Sequence, residues 1–395
     1  MPRRRYDTDI VHGGERGDPH TSALTTPIVR SAPFVFNTLE DLERYAAGDV
    51  ERYEYGRTAH PTGRAAERKM AALEHAEDAI VLASGMAAVT TTYLGLLSAG
   101  DHVIVTDDGY KRTLMFARDT LPRWGITGEL VDSRDPLASV RAALRPNTRL
   151  VLAEVPTNPH LRLVDIRALA DLCHEAGALL AIDSTLASPV NLRPLDHGAD
   201  LVVTSATKFL GGHNDLLAGL IAGRAELLAP IRALHLNLGA ILDADACYLL
   251  LRGMKTLGVR MARSNESAGK LAAWLAQRPE VSTVYYPGLP THPGHELAKA
   301  QMDGFGAMLS FELRADLPGV RRFVNALDVI TLGTSLGGVE SLALHLGALM
   351  NPSLAEEDRA RLGLTDQLIR LSVGIEDYED LRADLEGGLA AMSMP

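Results

Sequence analysis

Lysine is scarce in this chain: of 39 lysines and arginines, only Lys69, Lys111, Lys208, Lys255, Lys270 and Lys299 are lysine. Lys208 stands in SATKFLGGHND, directly after the apolar run DLVV and between hydroxyl residues and a glycine pair. An amine at the end of a buried strand can lose its proton, attack a carbonyl and form an imine, which a guanidinium cannot do. Two other runs share the pattern of an apolar strand followed at once by small or polar residues. They are VLASGMAAV, with Ser84, Gly85 and Met86, and AIDSTLASP, with Asp183. Ligands of open α/β sheets bind outside the carboxyl ends of the strands, so these three ends can line one crevice.

Taken singly, each feature has an ordinary structural use. Ser84–Met86 reads as a capped strand-to-helix turn, and it matches neither GxGxxG nor GxxxxGK[ST]. Asp183 reads as a helix cap or half of a salt bridge. Taken together they match the needs of pyridoxal 5'-phosphate (PLP). Lys208 supplies the imine-forming amine, and Asp183 a carboxylate for a protonated ring nitrogen. Ser205, Thr207 and the helix-end amides of Gly85 and Met86 supply donors for the phosphate, with Gly211 and Gly212 keeping the wall thin.

The elements that must position these residues are visible as an alternation between about residues 62 and 255. Helical GRAAERKMAALEHA, MAAVTTTYLGLL, YKRTLMFARDTL and DIRALADLCHEAG interleave with apolar AIVLAS, DHVIVTD, RLVLAEV, ALLAID and DLVVTSAT. Short continuous apolar runs between helices predict buried parallel strands, hence an α/β lobe with a doubly wound, mostly parallel sheet. Residues 1–61, with TTPIVRSAPFVF and RYEYGRTAHPTG, read as an extended arm with short helical pieces. Residues 256–395 read as a smaller α+β lobe.

Composition narrows the partners. A formal charge of -11 argues against nucleic acid and anionic lipid and favours a small molecule. The basic opening MPRRRYDTDIVHGG lacks the apolar core of a secretion signal, and no run reaches the roughly 18 apolar residues of a membrane span. Cys173 and Cys247 stand apart, without CxxC or metal-ligand spacing, so a reducing cytoplasm is the expected location and no metal is expected.

Ordered stretches along the whole chain, among them YEYGRTAHPT, LASGMAAV, DDGYKRTLMF, EVPTNPHLRLVDI, AIDSTLASP, SATKFLGGHND, SLGGVESL and LIRLSVGIED, resemble one family. It is the Cys/Met metabolism group of fold-type I PLP enzymes, and within it the cystathionine γ-synthases, especially the plant form. The resemblance implies that Lys208 carries PLP, Asp183 pairs with the pyridinium nitrogen and Tyr110 stacks on the ring. It also implies that Ser205, Thr207, Gly85 and Met86 hold the phosphate and that Asn158 lies beside the phenolic oxygen. Arg370 matches the arginine for the substrate α-carboxylate, and Ser335 a residue lining the substrate site. Tyr55 and Arg57 match a YxR motif that in relatives reaches the neighbouring subunit's phosphate. The arm would then cross a dimer interface, and a dimer of dimers is expected.

The reaction so implied is γ-replacement on an activated homoserine with cysteine or another thiol. Lys208 would move protons, and Tyr110 and Tyr55 would assist the leaving group or tune Lys208. The alternative is γ-elimination on an unusual γ-substituted amino acid. A third reading, a non-catalytic PLP-binding protein, is disfavoured by the full set of Lys208, Asp183, Tyr110 and Arg370. Several positions depart from the family wording: His60 where relatives read NPT, Ser184 after the aspartate, and ALHLGALMNPS from Ala343 to Ser353, which puts leaving group and nucleophile in doubt. Lys111 and Arg112 resemble the plant form and would either attract an anionic leaving group or simply begin a solvated helix. His213 is expected to orient the loop behind Lys208.

Overall fold

The apolar runs become neighbours in one sheet in the computed structural model, which describes residues 5–392 apart from 16, 19, 20, 351–358, 360 and 361. Its strands are β1 (Asp78–Leu82), β2 (His102–Thr106), β3 (Thr127–Val131), β4 (Thr148–Glu154), β5 (Leu179–Asp183), β6 (Leu201–Thr204) and β7 (Gly219–Gly223). They lie in the order β1-β7-β6-β5-β4-β2-β3, and β7 alone runs against its neighbours. Both faces are covered, which is why these strands are continuously apolar rather than alternating. Val103 and Val105 of β2 pack with Tyr93 of helix Gly85–Leu96, whereas Ile104 packs with Leu169 of helix Ile166–Glu175.

A second sheet follows, from β8 (Val281–Tyr285), β9 (Met308–Leu313), β10 (Thr331–Leu332), β11 (Leu342–His345) and β12 (Leu368–Ser372). Its order is β10-β11-β12-β9-β8, antiparallel except for the β10–β11 pair. Phe311, Phe323, Leu381 and Leu385 join it to helices Leu317–Asn325 and Tyr378–Ala391. The fold is thus α/β, with a large mostly parallel sheet and a smaller mostly antiparallel one.

Local chemistry sets the element ends. His60 caps helix Pro61–Leu73: its Nδ1 accepts the Gly63 N–H at 3.1 Å, so Nε2–H donates to the Leu242 carbonyl at 3.2 Å. That departure from NPT therefore keeps an acceptor at the cap, with proline fixed at the first helical position. The stretch YKRTLMFARDTL is not one helix as its pattern predicts. It passes from an α-helix (Lys111–Met115) through a π turn (Phe116–Thr120) into a 3-10 turn (Leu121–Trp124), where Pro122 has no N–H to continue the ladder.

One buried group stands outside any site. Glu74, at the end of helix Pro61–Leu73, is fully buried and neither carboxyl oxygen has a hydrogen bond among the described residues. Burial pushes its pKa up to about 8, against the opposing pull of Arg193. A carboxyl raised in the folded state contributes stability that is complete below its ordinary pKa and is lost as pH rises towards the folded value. Between about pH 4.5 and about 8 the wild type should lose up to about 1.4 kcal/mol per pH unit relative to Glu74→Gln. The check is the difference in denaturation midpoint between the two proteins across that range; a pH-independent difference would contradict the assignment.

Candidate active site

The carboxyl ends of β1, β2, β4, β5 and β6 open on the same edge of the large sheet, because β7 alone is reversed. After β1, Ser84 caps helix Gly85–Leu96 by accepting the Ala87 N–H at 3.1 Å. Gly85 and Met86, in the first turn, contribute amides that no helical carbonyl can accept. Gly85 lies against the loop that follows β6: a Cβ built there would be 2.7 Å from Ser205 Cβ and 2.9 Å from its Oγ. The helix end and Ser205 therefore form one wall, with two amides and a hydroxyl side by side.

Asp183, the last residue of β5, is buried. Its Oδ1 accepts both the N–H of Thr185 at 3.0 Å and the Thr185 hydroxyl at 2.5 Å, while Oδ2 receives no hydrogen bond among the described residues. Burial raises its pKa, with the Thr185 hydrogen bonds opposing. The same Thr185 hydroxyl accepts the Ser205 N–H at 2.9 Å, which links the β5 and β6 ends. The Thr207 hydroxyl is turned to Ala218, donating to its carbonyl at 3.2 Å and accepting its N–H at 2.9 Å. In this state it braces the Lys208 loop.

Lys208 reaches from the large sheet to the small-sheet side, its Nζ donating to Ser335 Oγ at 2.9 Å. Burial, and then the charge of Arg370, lower its pKa. Arg370 lies on β12 and is 5 % exposed. It donates to Asn158 Oδ1 at 3.2 Å and to the carbonyls of Thr334 at 3.3 Å and Ser335 at 3.0 Å, and its Nε has no partner among the described residues. Burial pushes the guanidinium pKa down to about 10, with Glu154 opposing. Gly337 is at φ +78, and a Cβ there would be 2.7 Å from the Phe209 nitrogen and 3.0 Å from the Lys208 carbonyl carbon, so only glycine lets this loop rest on the Lys208 backbone. Tyr110 follows β2, half exposed, with its N–H held by Glu154 Oε2 at 2.7 Å.

Lys208, Ser335, Arg370 and Asn158 thus form one connected group, and Asp183, Thr185, Ser205 and Gly85 form another beside it. Tyr55 and Arg57 join neither within this chain: Arg57 donates to the Leu236 carbonyl at 2.9 Å, and its guanidinium lies 5.9 Å from the Tyr55 ring. His213 Nδ1–H donates to the Gly211 carbonyl at 2.9 Å, a loop contact as expected. Ser184 meets the Thr204 hydroxyl at 3.3 Å inside the sheet. His345 pairs across the strands with Ile369, one position on from the Leu344–Arg370 pair, so it faces away from Arg370 and donates through Nε2 to the Asp366 carbonyl at 2.8 Å. The segment from 351 to 353 lies outside the described residues.

Sequence reasoning missed two parts of the site. Glu154 ends β4 as Asp183 ends β5, so an acid closing an apolar run was signal enough. Buried Asp108, by contrast, is held below the usual carboxylate range by His160, Arg162 and Thr157 despite its burial, through bonds of 3.1, 2.7 and 2.7 Å. It anchors the turn leading to Tyr110, and no local pattern announces it.

These groups fit a phosphorylated pyridine aldehyde: a carboxylate oxygen on Asp183 that accepts no hydrogen bond among the described residues, a buried amine of lowered basicity, and two first-turn amides beside a hydroxyl where a side chain at Gly85 would intrude. The family model described as "Cys/Met metabolism PLP-dependent enzyme" matches residues 7–390. The chain is 44% identical over 377 residues to "Cystathionine gamma-synthase 1, chloroplastic" of Nicotiana tabacum, covering 95% of this chain and 70% of that one. It is 40% identical over 394 residues to the L-methionine gamma-lyase of Fusobacterium nucleatum subsp. polymorphum, covering 98% and 99%. The crystal structure of cystathionine gamma synthase from Xanthomonas oryzae pv. oryzae in complex with cystathionine superposes with a TM-score of 0.93 at 37% identity, covering 99% of each chain. With a site of this composition and matches over nearly its whole length, the chain belongs to the Cys/Met metabolism family of PLP-dependent enzymes.

Proposed function

We propose that the enzyme catalyses γ-replacement on an activated homoserine, with cysteine or another thiol as the incoming nucleophile. The observation that carries this reading is Arg370, a buried cation whose hydrogen bonds among the described residues go only to an amide oxygen and two backbone carbonyls, two of its acceptors lying within a residue of the Lys208 partner Ser335. A buried guanidinium with neutral acceptors is prepared for a carboxylate, which its planar fork can hold through two bonds. An amino-acid substrate so anchored presents its Cα to Lys208.

PLP, when bound, supplies the electron sink that makes the Cα and Cβ protons of an amino acid removable. Asp183 would hold the ring nitrogen through Oδ2, and Gly85, Met86 and Ser205 the phosphate, joined by Thr207 once its hydroxyl turns from the Ala218 carbonyl, with Asn158 beside the phenolic oxygen. Lys208 Nζ, its basicity lowered by burial and Arg370, would take the Cα proton and service Cβ in turn, and the Ser335 hydroxyl would aim it. In the net reaction the Cγ–O bond breaks, a Cγ–S bond forms, and the ester anion leaves with the thiol proton. Tyr110 and Tyr55 stand as candidates to assist that departure.

The arm, 1–61, would complete the site of a second copy, with 62–255 as the PLP-binding domain and 256–395 as the small domain. Leu24, Val35 and Leu39 of the arm are exposed at 90, 80 and 64 %, which suits a covered surface and a homo-oligomer built as a dimer of dimers. Among the described residues no helix is long and apolar enough to cross a membrane. Cys173 and Cys247 are buried free thiols, which supports the cytoplasm as the working compartment. A second reading, γ-elimination, is favoured by the reworded segment after β11, where a short helix Leu346–Met350 begins beside the Arg370 strand.

Three measurements test this. Incubation with O-succinyl-, O-acetyl- or O-phosphohomoserine plus cysteine should give a thioether; a ketoacid and ammonia with no thioether from any of the three would replace the first reading by the second. Lys208→Ala should remove the visible absorption of the Lys208-linked cofactor and lower kcat at least about a hundredfold. Lys111→Ala or Arg112→Ala should raise KM about tenfold for an anionic ester and leave a neutral γ-substituted amino acid unchanged; equal effects on both would remove these two residues from the leaving-group site.

A further inference from the structure

Glu154 is a buried acid that the reaction scheme does not use. It ends β4 in register with Asp183 at the end of β5, and parallel partners in register point to the same face of a sheet. It is 7 % exposed, forms no ion pair within 4.0 Å among the described residues, and has no hydrogen bond to Oε1. Its Oε2 accepts the Tyr110 N–H at 2.7 Å, and the turn presses close, a Cβ on Gly109 coming within 3.1 Å of that oxygen.

We infer that Glu154 is a positioning residue held as a neutral carboxylic acid, fixing the Tyr110 turn while keeping negative charge away from Asp183 and Arg370. The inference rests on the roles given above to those two residues. Two carboxylates at adjoining strand ends in a dry site cannot both ionise cheaply, and Asp183 accepts two hydrogen bonds that favour its charged form, both from Thr185, against the one that Glu154 accepts from Tyr110. Burial and the Asp183 charge both raise the Glu154 pKa, against the Tyr110 amide and Arg370. The Tyr93 hydroxyl, buried and without a partner among the described residues, is likewise pushed upward by burial and Asp183.

The functional consequence concerns Arg370. An ionised Glu154 would neutralise the guanidinium and compete with the substrate carboxylate. A neutral one leaves Arg370 with an uncompensated charge that only substrate satisfies, and leaves Asp183 as the single anion facing the ring nitrogen.

The test uses Glu154→Gln and Glu154→Ala in the holoenzyme. Glutamine is neutral and nearly isosteric, and its carbonyl can accept the Tyr110 N–H. With it, KM, cofactor dissociation constant and the pH midpoint of the visible absorption should each stay within about twofold or an equivalent shift of wild type. The infrared difference spectrum should show loss of a protonated-carboxyl band. Glu154→Ala should weaken cofactor binding at least tenfold and reduce the visible circular dichroism that reports a fixed Tyr110, with glutamine restoring both. The inference is overturned by a carboxylate band in the difference spectrum, by a tenfold fall in KM for Glu154→Gln, or by an alanine variant indistinguishable from wild type. The infrared band reports Glu154 alone, so failure of the Arg370 role would show separately, as an Arg370→Lys variant with unchanged KM.

Discussion

A carboxylate at the buried end of a parallel strand is tolerable only if something positive or hydrogen-bonding meets it. Asp183 is that group, and much of the large sheet's open edge is arranged around it. Thr185 holds one of its oxygens and with the same hydroxyl fixes Ser205. Ser205 packs on Gly85, whose helix end points its amides at the same space. Among the described residues one oxygen of Asp183 accepts no hydrogen bond, and a single ligand with a cationic ring nitrogen at one end and a phosphate at the other would meet both that oxygen and the first-turn amides.

The second dependence is between sheets. Lys208 belongs to the large sheet, while Ser335 and Arg370 come from the small one, and each side alters the other's chemistry. Arg370 lowers the proton affinity of Lys208, and Ser335 gives the amine a direction. The surroundings of the Lys208 amine are therefore defined by docking of the two sheets rather than by either alone. His160 reinforces this docking, since it bonds Asp108 beneath the Tyr110 turn and meets the Gly363 carbonyl and the Tyr285 ring from the second sheet's side.

How much of this was legible in the sequence depended on range. Lys208 and Asp183 follow short apolar runs, and that local contrast marks them without any knowledge of their neighbours. Strands β3 (TGELV) and β7 (GLIAG) were not marked: the first has an exposed start and polar members, and the second is bracketed by glycines. Ser335 and Arg370 came only through the family resemblance, because their partners lie 127 and 212 residues away and no periodicity encodes such distances. Glu154 carried the same mark as Asp183, but it sits in an apolar run that also reads as an ordinary strand. His60 and His345, met as departures from family wording, prove to be a helix cap and a strand-end contact, functions that many side chains can take over.

The close seat of Gly337 on the Lys208 backbone has a consequence for how such an enzyme can change over generations. A loop so close that a Cβ on Gly337 would come within 3.0 Å of the 208–209 main chain cannot drift, lengthen or accept a side chain there without displacing Lys208. Variation is therefore channelled: the main-chain path of 334–338 is closed to evolutionary exploration, whereas the side chains it displays, beginning with Thr334, remain open. New substrate preferences would arise there by exchange of single residues on an unaltered backbone, and insertions would accumulate in segments that do not touch Lys208.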